Sequence, residues 1–390
     1  MEKLKIAETL DTFYPGIDGP TFVVKNYAEN LIKDHDCEVF VPKTKKSLKY
    51  KDNHPFKVVR CTSWLGFEGY RNAMPWFDKS FKKYFKEKNF DVIHTHSPLN
   101  MGKFSVEQGK KLKIPTIITL HTKFKDDFNR VLHGFKPLVN FMMRRIMRVI
   151  NSADSVWTVN DASKKVLRDY GYKGDIVVVR NGTDYTYPIN DTELTQKVNS
   201  IHNLSGKKNV FLFVGRIAMY KNLKLIIDAL KILADDGIEF TMIFVGGGFD
   251  YDELVNYTNK KNLTDKVIFT GPIRDRELLQ GYYLRSDLFL FPSTFDTSSL
   301  VPIEAAAHKL PVLLIEGSDT AENIVDNYNG FLSKENANCY AEKIKTLISS
   351  PNKLKEVGIT ASKTIYRTWE DVTNDVIKEY KKVILDYKNR

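Results

Sequence analysis

Asn209-Val-Phe-Leu-Phe-Val214-Gly215-Arg216-Ile-Ala-Met-Tyr-Lys221-Asn222 opens on an apolar run, turns at a glycine and carries two cations before the helical pattern Leu223–Asp235. An apolar run of strand length, bounded by glycine and followed by an amphipathic helix, is the repeating half of a parallel sheet covered on both faces. The alternation extends in both directions. Upstream, Leu4–Thr9, Glu38–Pro42, Val58–Cys61, Asp91–His94, Thr116–His121, Ser155–Val159 and Ile176–Val179 read as strands, with helical patterns such as Phe22–Lys33 and Ala162–Tyr170 between most of them. Downstream, Phe240–Val245, Lys266–Thr270, Leu288–Phe291 and Val312–Ile315 follow, separated by Tyr251–Lys261, Asp275–Tyr283 and Pro302–His308. Two such series predict an α/β chain of two Rossmann-like domains, as the length of 390 residues also suggests. The polar stretch Tyr185–Lys208 lies between them. It divides the chain into a first domain over 1–190, a second over 191–364, and a terminal helix over 365–390, containing Trp369, that crosses back to the first.

In an open parallel sheet, ligands bind beyond the carboxyl ends of the strands. Four segments of the second series fall there. Gly215 permits a tight turn, after which Arg216 and Lys221 could converge on phosphate oxygens, though a plain basic loop before a helix has the same pattern. The glycines Gly246-Gly247-Gly248 permit close backbone approach to a ligand and equally suit a turn; they do not form a GxGxxG fingerprint. Gly271-Pro-Ile273-Arg274 ends a strand with backbone groups able to pair with a base edge, or forms a loop. Asp296-Thr-Ser298-Ser299-Leu300-Val-Pro-Ile-Glu304 places two carboxylates around a polar turn entering a helix. Carboxylates suit sugar and ribose hydroxyls, while free N–H groups at a helix start suit a diphosphate; a simple helix cap is the competing reading. Taken together, the segments suggest a nucleotide-sugar site.

In order and spacing these segments resemble retaining family-4 glycosyltransferases of the two-domain GT-B fold, whose domains face each other across a cleft. The resemblance implies that Arg216 and Lys221 hold the donor diphosphate, Glu304 the ribose, and Asp296 the sugar, with Ser298, Ser299 and Leu300 assisting through backbone N–H groups. Gly215, Gly247, Ile273 and Arg274 complete the donor side, joined by Gly16 and Gly19 of Asp11-Thr-Phe-Tyr-Pro-Gly16-Ile-Asp18-Gly19. His121, in a His-Thr pair after a strand, takes the catalytic-site position; His96 of His94-Thr-His96 is second and is assigned to the acceptor side. Trp369-Glu matches the crossover helix. The chain departs from the pattern in having Asp at 296, Thr-Ser-Ser after it, and His308-Lys309 in place of a small residue and glycine. The implied activity is transfer of a hexose, glucose from UDP-glucose as leading donor, with the departing charge stabilised electrostatically and no metal or other cofactor. The Asp-x-Asp patterns at Asp34–Asp36 and Asp250–Asp252 are short enough to arise by chance. A sugar-nucleotide binder with impaired catalysis is the alternative suggested by the altered turn.

Net charge is +11, and it is one-sided. Residues 1–190 hold 33 Lys/Arg and 21 Asp/Glu, and residues 101–150 alone hold 11 against 3. Such a field implies an anionic partner. Leu138, Met142, Ile146 and Val149 form one helical stripe with Arg144, Arg145 and Arg148 away from it, the form of an interfacial helix on an anionic membrane or of a core helix with a basic edge. With the segment from His121 onward it is similar to the diacylglycerol glucosyltransferase branch, which implies a lipid or cell-envelope glycan acceptor. Nucleic acid is a poorer explanation, because no zinc knuckle, aromatic RNA motif or basic tail accompanies the charge. Three scattered cysteines, no signal-like leader and no long apolar run predict a cytoplasmic protein, peripheral on the inner face of the cell membrane.

Overall fold

The computed structural model describes residues 3–16, 18–44, 50–64 and 72–390. The chain divides into two compact units, Met1–Asn181 with Trp369–Arg390, and Gly182–Thr368. The first is built on strands β1 (Lys5–Thr9), β2 (Asp36–Pro42), β3 (Lys57–Cys61), the two-residue antiparallel pair β4 (Ser63–Trp64) and β5 (Asn72–Ala73), then β6 (Val92–Thr95), β7 (Thr116–Leu120), β8 (Ser155–Thr158) and β9 (Ile176–Val178). Its helices are α1 (Gly19–Leu31), α2 (Lys79–Glu87), α3 (Asn100–Leu112), α4 (Phe124–Val131), α5 (Lys136–Ile150) and α6 (Asp161–Asp169). Seven strands form a parallel sheet in the order β3-β2-β1-β6-β7-β8-β9. β6 and β7 are buried along their whole length, as strands covered on both faces must be.

The second unit contains α7 (Asp191–His202), β10 (Val210–Val214), α8 (Leu223–Asp235), β11 (Thr241–Val245), α9 (Tyr251–Lys260), β12 (Val267–Gly271), α10 (Arg276–Arg285), β13 (Leu288–Phe291), α11 (Val301–Ala307), β14 (Val312–Ile315), β15 (Phe331–Ser333), α12 (Ala337–Ile348) and α13 (Pro351–Thr364). Its six-stranded parallel sheet runs β12-β11-β10-β13-β14-β15. The last helix, α14 (Trp369–Lys388), belongs to the first unit. There Trp369 lies edge-on to Phe22 and Tyr27 of α1, and Trp157 of β8 stacks on Tyr380.

The division falls earlier than the expected residue 190, and the return comes at 369 instead of 365. The cause is local. Thr183 N–H donates to the Arg367 carbonyl at 2.9 Å, Arg276 of α10 pairs with Asp184 and covers the Tyr185 ring, and Tyr185 packs on His308. Residues 182–190 are thereby tied to the second unit.

Each sheet has one place where chain order reverses, between β1 and β6 in the first and between β10 and β13 in the second. Loops after the strands diverge there and leave room for a ligand.

Candidate active site

In the second unit the reversal brings Lys221 and Asp296 together. Lys221 follows β10 and Asp296 follows β13, and the ammonium donates to both carboxylate oxygens at 2.8 and 2.7 Å. Lys221 is only 8% exposed and lies 5.5 Å from the Phe291 ring centre, so its charge has a fixed position. Both side chains, expected to face a ligand, meet each other, because the neighbouring strand ends leave a buried cation nearest to that carboxylate. Thr320 bonds to the Asp296 carbonyl at 3.0 Å and pins the turn. Arg216 is exposed at the end of β10, with no partner among the described residues.

The turn is not a helix cap of the ordinary kind. α11 starts at Val301 after Leu300, and no side chain caps it. Ser298, Ser299 and Leu300 are half-buried just before that start. Glu304, in the first turn, is half-buried and accepts a 2.7 Å hydrogen bond from the Tyr283 hydroxyl; loss of solvent around it pushes its carboxyl up to about 6. His308 accounts for one departure from the resembling pattern. Its ring stacks on Tyr283 at 5.0 Å and bonds to the Glu304 carbonyl at 2.7 Å, so it braces the tyrosine that orients Glu304.

The glycines have a structural task. Gly215 and Gly246 have φ of 148° and 141°, and a Cβ on Gly246 would stand 1.9 Å from the Gly215 carbonyl oxygen. A Cβ on Gly248 would meet the Ile217 carbonyl at the same separation. The loops after β10 and β11 therefore continue side by side, with Gly215 N–H on the Val245 carbonyl and Ile217 N–H on the Gly247 carbonyl, both at 3.0 Å. The close approach expected toward a ligand is made to backbone. Beyond β12, Ile273 packs on the core while Arg274 is exposed.

In the first unit, Asp11 crosses the reversal from β1 and accepts the Met101 N–H at 3.0 and 3.2 Å, serving the uncapped start of α3. Burial lifts its carboxyl to about 6. Asp18 caps α1 through the Thr21 N–H, which leaves Gly16 in the preceding turn and Gly19 as the first helical residue.

Behind that loop lies a buried polar network. Glu8 of β1 accepts from Tyr380 of α14 at 2.8 Å and contacts His96 Nε2 at 2.8 Å. His96 Nδ1 lies 2.9 Å from His121 Nε2, and the two rings stack. His94 joins Tyr380 and Thr119, each at 2.7 Å. Burial pushes the Glu8 carboxyl up to about 8, against the Tyr380 hydrogen bond, and holds His96 down to about 3. Burial, with the neighbouring imidazoles, keeps His94 and His121 well below the usual histidine range. Donor atoms of Glu8, His94 and His96 lie within 4.8 Å of one another, but hydrogen bonds already occupy every nitrogen of the two rings, which makes the group a polar network.

His96 is a correction. It is 2% exposed with both ring nitrogens engaged by His121 and Glu8, so it is part of the buried network and leaves no free nitrogen for the acceptor role expected of it. His121 itself is half-buried at the end of β7. Glu8 and Tyr380 belong to no motif of the sequence. A carboxylate following Ile6 and Ala7 in a strand is the available signal for Glu8, and nothing local marks Tyr380.

α5 also differs from its expected stripe. Val139, Ile146, Val149 and Ile150 are its buried face, while Leu138 is 39% exposed. Arg144, Arg145 and Arg148 are exposed and, with Lys103 and Lys110 of α3, line a groove of about 330 Å³. Among the described residues no helix is long and apolar enough to cross a membrane.

Residues 17–187 match the family described as Glycosyltransferase Family 4, and residues 195–364 match Glycosyl transferases group 1. The chain is 23% identical over 356 residues to an alpha-monoglucosyldiacylglycerol synthase of Streptococcus pneumoniae, covering 90% of this chain and 79% of that protein. It is 24% identical to the protein of the same name from Acholeplasma laidlawii, covering 88% and 87%. Among solved structures, HepE of Anabaena in complex with UDP superposes with a TM-score of 0.79 at 18% identity, over 97% of this chain and 100% of that one. The architecture is that of the GT-B fold, two parallel-sheet Rossmann-like units with a returning terminal helix. With its two family matches spanning both units, the chain belongs to the group 1, family-4 retaining glycosyltransferases, enzymes that use a nucleotide sugar.

Proposed function

We propose that this enzyme moves a hexose, with glucose from UDP-glucose as the leading donor, to a lipid or cell-envelope glycan acceptor. The observation that carries the donor half is the Lys221–Asp296 pair at the reversal point of the second sheet, with Glu304 on the helix that follows. In this reading Lys221 and exposed Arg216 balance the charge growing on the departing diphosphate, aided by N–H groups of Ser298, Ser299 and Leu300. Glu304, ionised above about pH 6 and oriented by Tyr283, accepts from ribose hydroxyls. Asp296 and His121 orient the transferred sugar, while Gly16, Gly19, Gly215, Gly247, Ile273 and Arg274 flank the nucleotide. Two diacylglycerol-glucosylating relatives, and a solved structure of HepE with UDP-glucose, support glucose and a lipid.

For the acceptor side, the groove between α3 and α5 offers Arg144, Arg145 and Arg148, with Phe141 exposed beside them. Cations next to apolar rings suit an anionic bilayer surface, and we assign the enzyme to the cytoplasmic face of the membrane. The test is UDP release from UDP-glucose with vesicles containing diacylglycerol, followed by determination of the product's anomeric configuration. An α-glucolipid supports the reading. UDP-glucose binding without release, across lipid and glycan acceptors, would support the second reading, a sugar-nucleotide binder with impaired catalysis. That alternative draws on Lys221 being already neutralised by Asp296.

A further inference from the structure

We propose that Glu8 acts as a proton store for His121, setting through His96 whether Nδ1 of His121 accepts or donates a hydrogen bond. The argument is a count of protons. Six groups form one unbranched chain, Thr119–His94–Tyr380–Glu8–His96–His121, joined by five hydrogen bonds of 2.7–2.9 Å. An ionised Glu8 can only accept, so Tyr380 O–H and His96 Nε2–H must both point at it. The Tyr380 oxygen then accepts from His94 Nδ1, and His94 Nε2 accepts from Thr119. On the other branch His96 Nδ1 is bare and accepts from His121 Nε2–H. A neutral His121 is left with Nδ1 unprotonated.

One added proton reverses a single branch. It binds His121 Nδ1; the Nε2 proton passes to His96 Nδ1, and the His96 Nε2 proton passes to Glu8 Oε2. The product is a neutral carboxyl, two neutral imidazoles and a His121 whose Nδ1–H now donates. Every bond in the chain remains filled, and no imidazolium forms in a buried site, where it would be costly. The other branch ends at Thr119, 3% exposed, whereas His121 is half-buried and makes no Nδ1 hydrogen bond among the described residues. Proton exchange with the surroundings therefore runs through His121.

The groups facing Glu8 agree. β6 presents His94 and, just after its end, His96; α14 presents Tyr380, α1 presents Tyr27 against the His96 ring, and β2 presents the buried Cys37. No lysine or arginine pairs with Glu8 among the described residues. Without a cation to hold the carboxylate, burial raises Glu8 to about 8 while the imidazoles are held low, so the proton resides on the carboxyl. At neutral pH His121 is then a donor, suited to a sugar oxygen. That last step rests on the proposed function; the relay does not.

The experiment is a pH series from about 6 to about 10 on the whole protein with ¹⁵N-labelled histidine, reading the His121 tautomer by NMR. The expected result is inversion from Nδ1–H to Nε2–H with a midpoint near the Glu8 value of about 8. In Glu8→Gln the side-chain amide donates permanently to His96, so His121 stays Nδ1–H throughout. Tyr380→Phe removes a donor to the carboxylate, and the midpoint moves up. A single wild-type tautomer over the range, an inversion in Glu8→Gln, or an unmoved or lowered midpoint in Tyr380→Phe would overturn the relay. UDP release measured on the same samples separates the two ideas. Release with no inversion sinks the relay alone; inversion with no release from any nucleotide sugar sinks the proposed function and leaves the relay standing.

Discussion

Lys221 is held by two carboxylate oxygens and flanked by an aromatic ring, so its charge is in position before any ligand arrives. Removing it leaves Asp296 without its cation and deletes the group assigned to the departing diphosphate. Lys221→Ala is expected to lower UDP release by about 10²–10³-fold while circular dichroism stays native. Asp296→Asn keeps the diphosphate contact and lowers release by less; equal losses would contradict that division of roles. The residue types and their spacing are legible in the sequence, since cations after one strand and carboxylates after another already suggest a sugar nucleotide. Their meeting is not. Lys221 and Asp296 are 75 positions apart, and their contact depends on β13 being laid beside β10. Glu8 is opaque for the same reason, because its partners come from β6 and α14.

At the scale of elements, the joined loops after β10 and β11 depend on missing side chains. In Gly246→Ala the new methyl would overlap the Gly215 carbonyl at a φ that other residues rarely adopt. We expect a loss of about 3 kcal/mol or more, read as a lowered denaturant midpoint. α5 makes the opposite kind of prediction on its two faces. Changing Arg144 and Arg148 together to Glu should sharply weaken salt-sensitive binding to anionic vesicles and leave the denaturant midpoint within error, since both are exposed. Ile146→Ala, in the core, should cost about 2–5 kcal/mol. Most strands are legible because burial on both faces demands unbroken apolar runs, as in β10, β11 and β13. β15 and α13 lie outside the expected series. Three residues are too few to show a period, and α13 carries Gly358 where its backbone closes on the Lys309 carbonyl.

For the whole molecule, two buried acids give the first unit a pH signature. Glu8 is raised from 4.5 to about 8 and Asp11 from 3.8 to about 6. A carboxyl with a raised folded value contributes stability that is complete below its unfolded pKa and is lost as pH rises through the folded one. His94, His96 and His121, held low, act in the opposite sense up to about pH 6.5, so the first unit should melt at progressively lower temperature from about pH 7 to about pH 8.5, and Glu8→Gln should remove that loss. An unchanged slope in the variant would count against Glu8 as its source. The helix that supplies Tyr380 has a further consequence, set by the order of synthesis. Residues 182–368 leave the ribosome as a finished unit, whereas the first unit is completed only when α14 follows. Until then Glu8 lacks its tyrosine donor and Trp157 its stacking partner. A chain truncated at Thr368 and released should show a protease-resistant second unit and a digestible first, a co-translational delay written into the order of the segments.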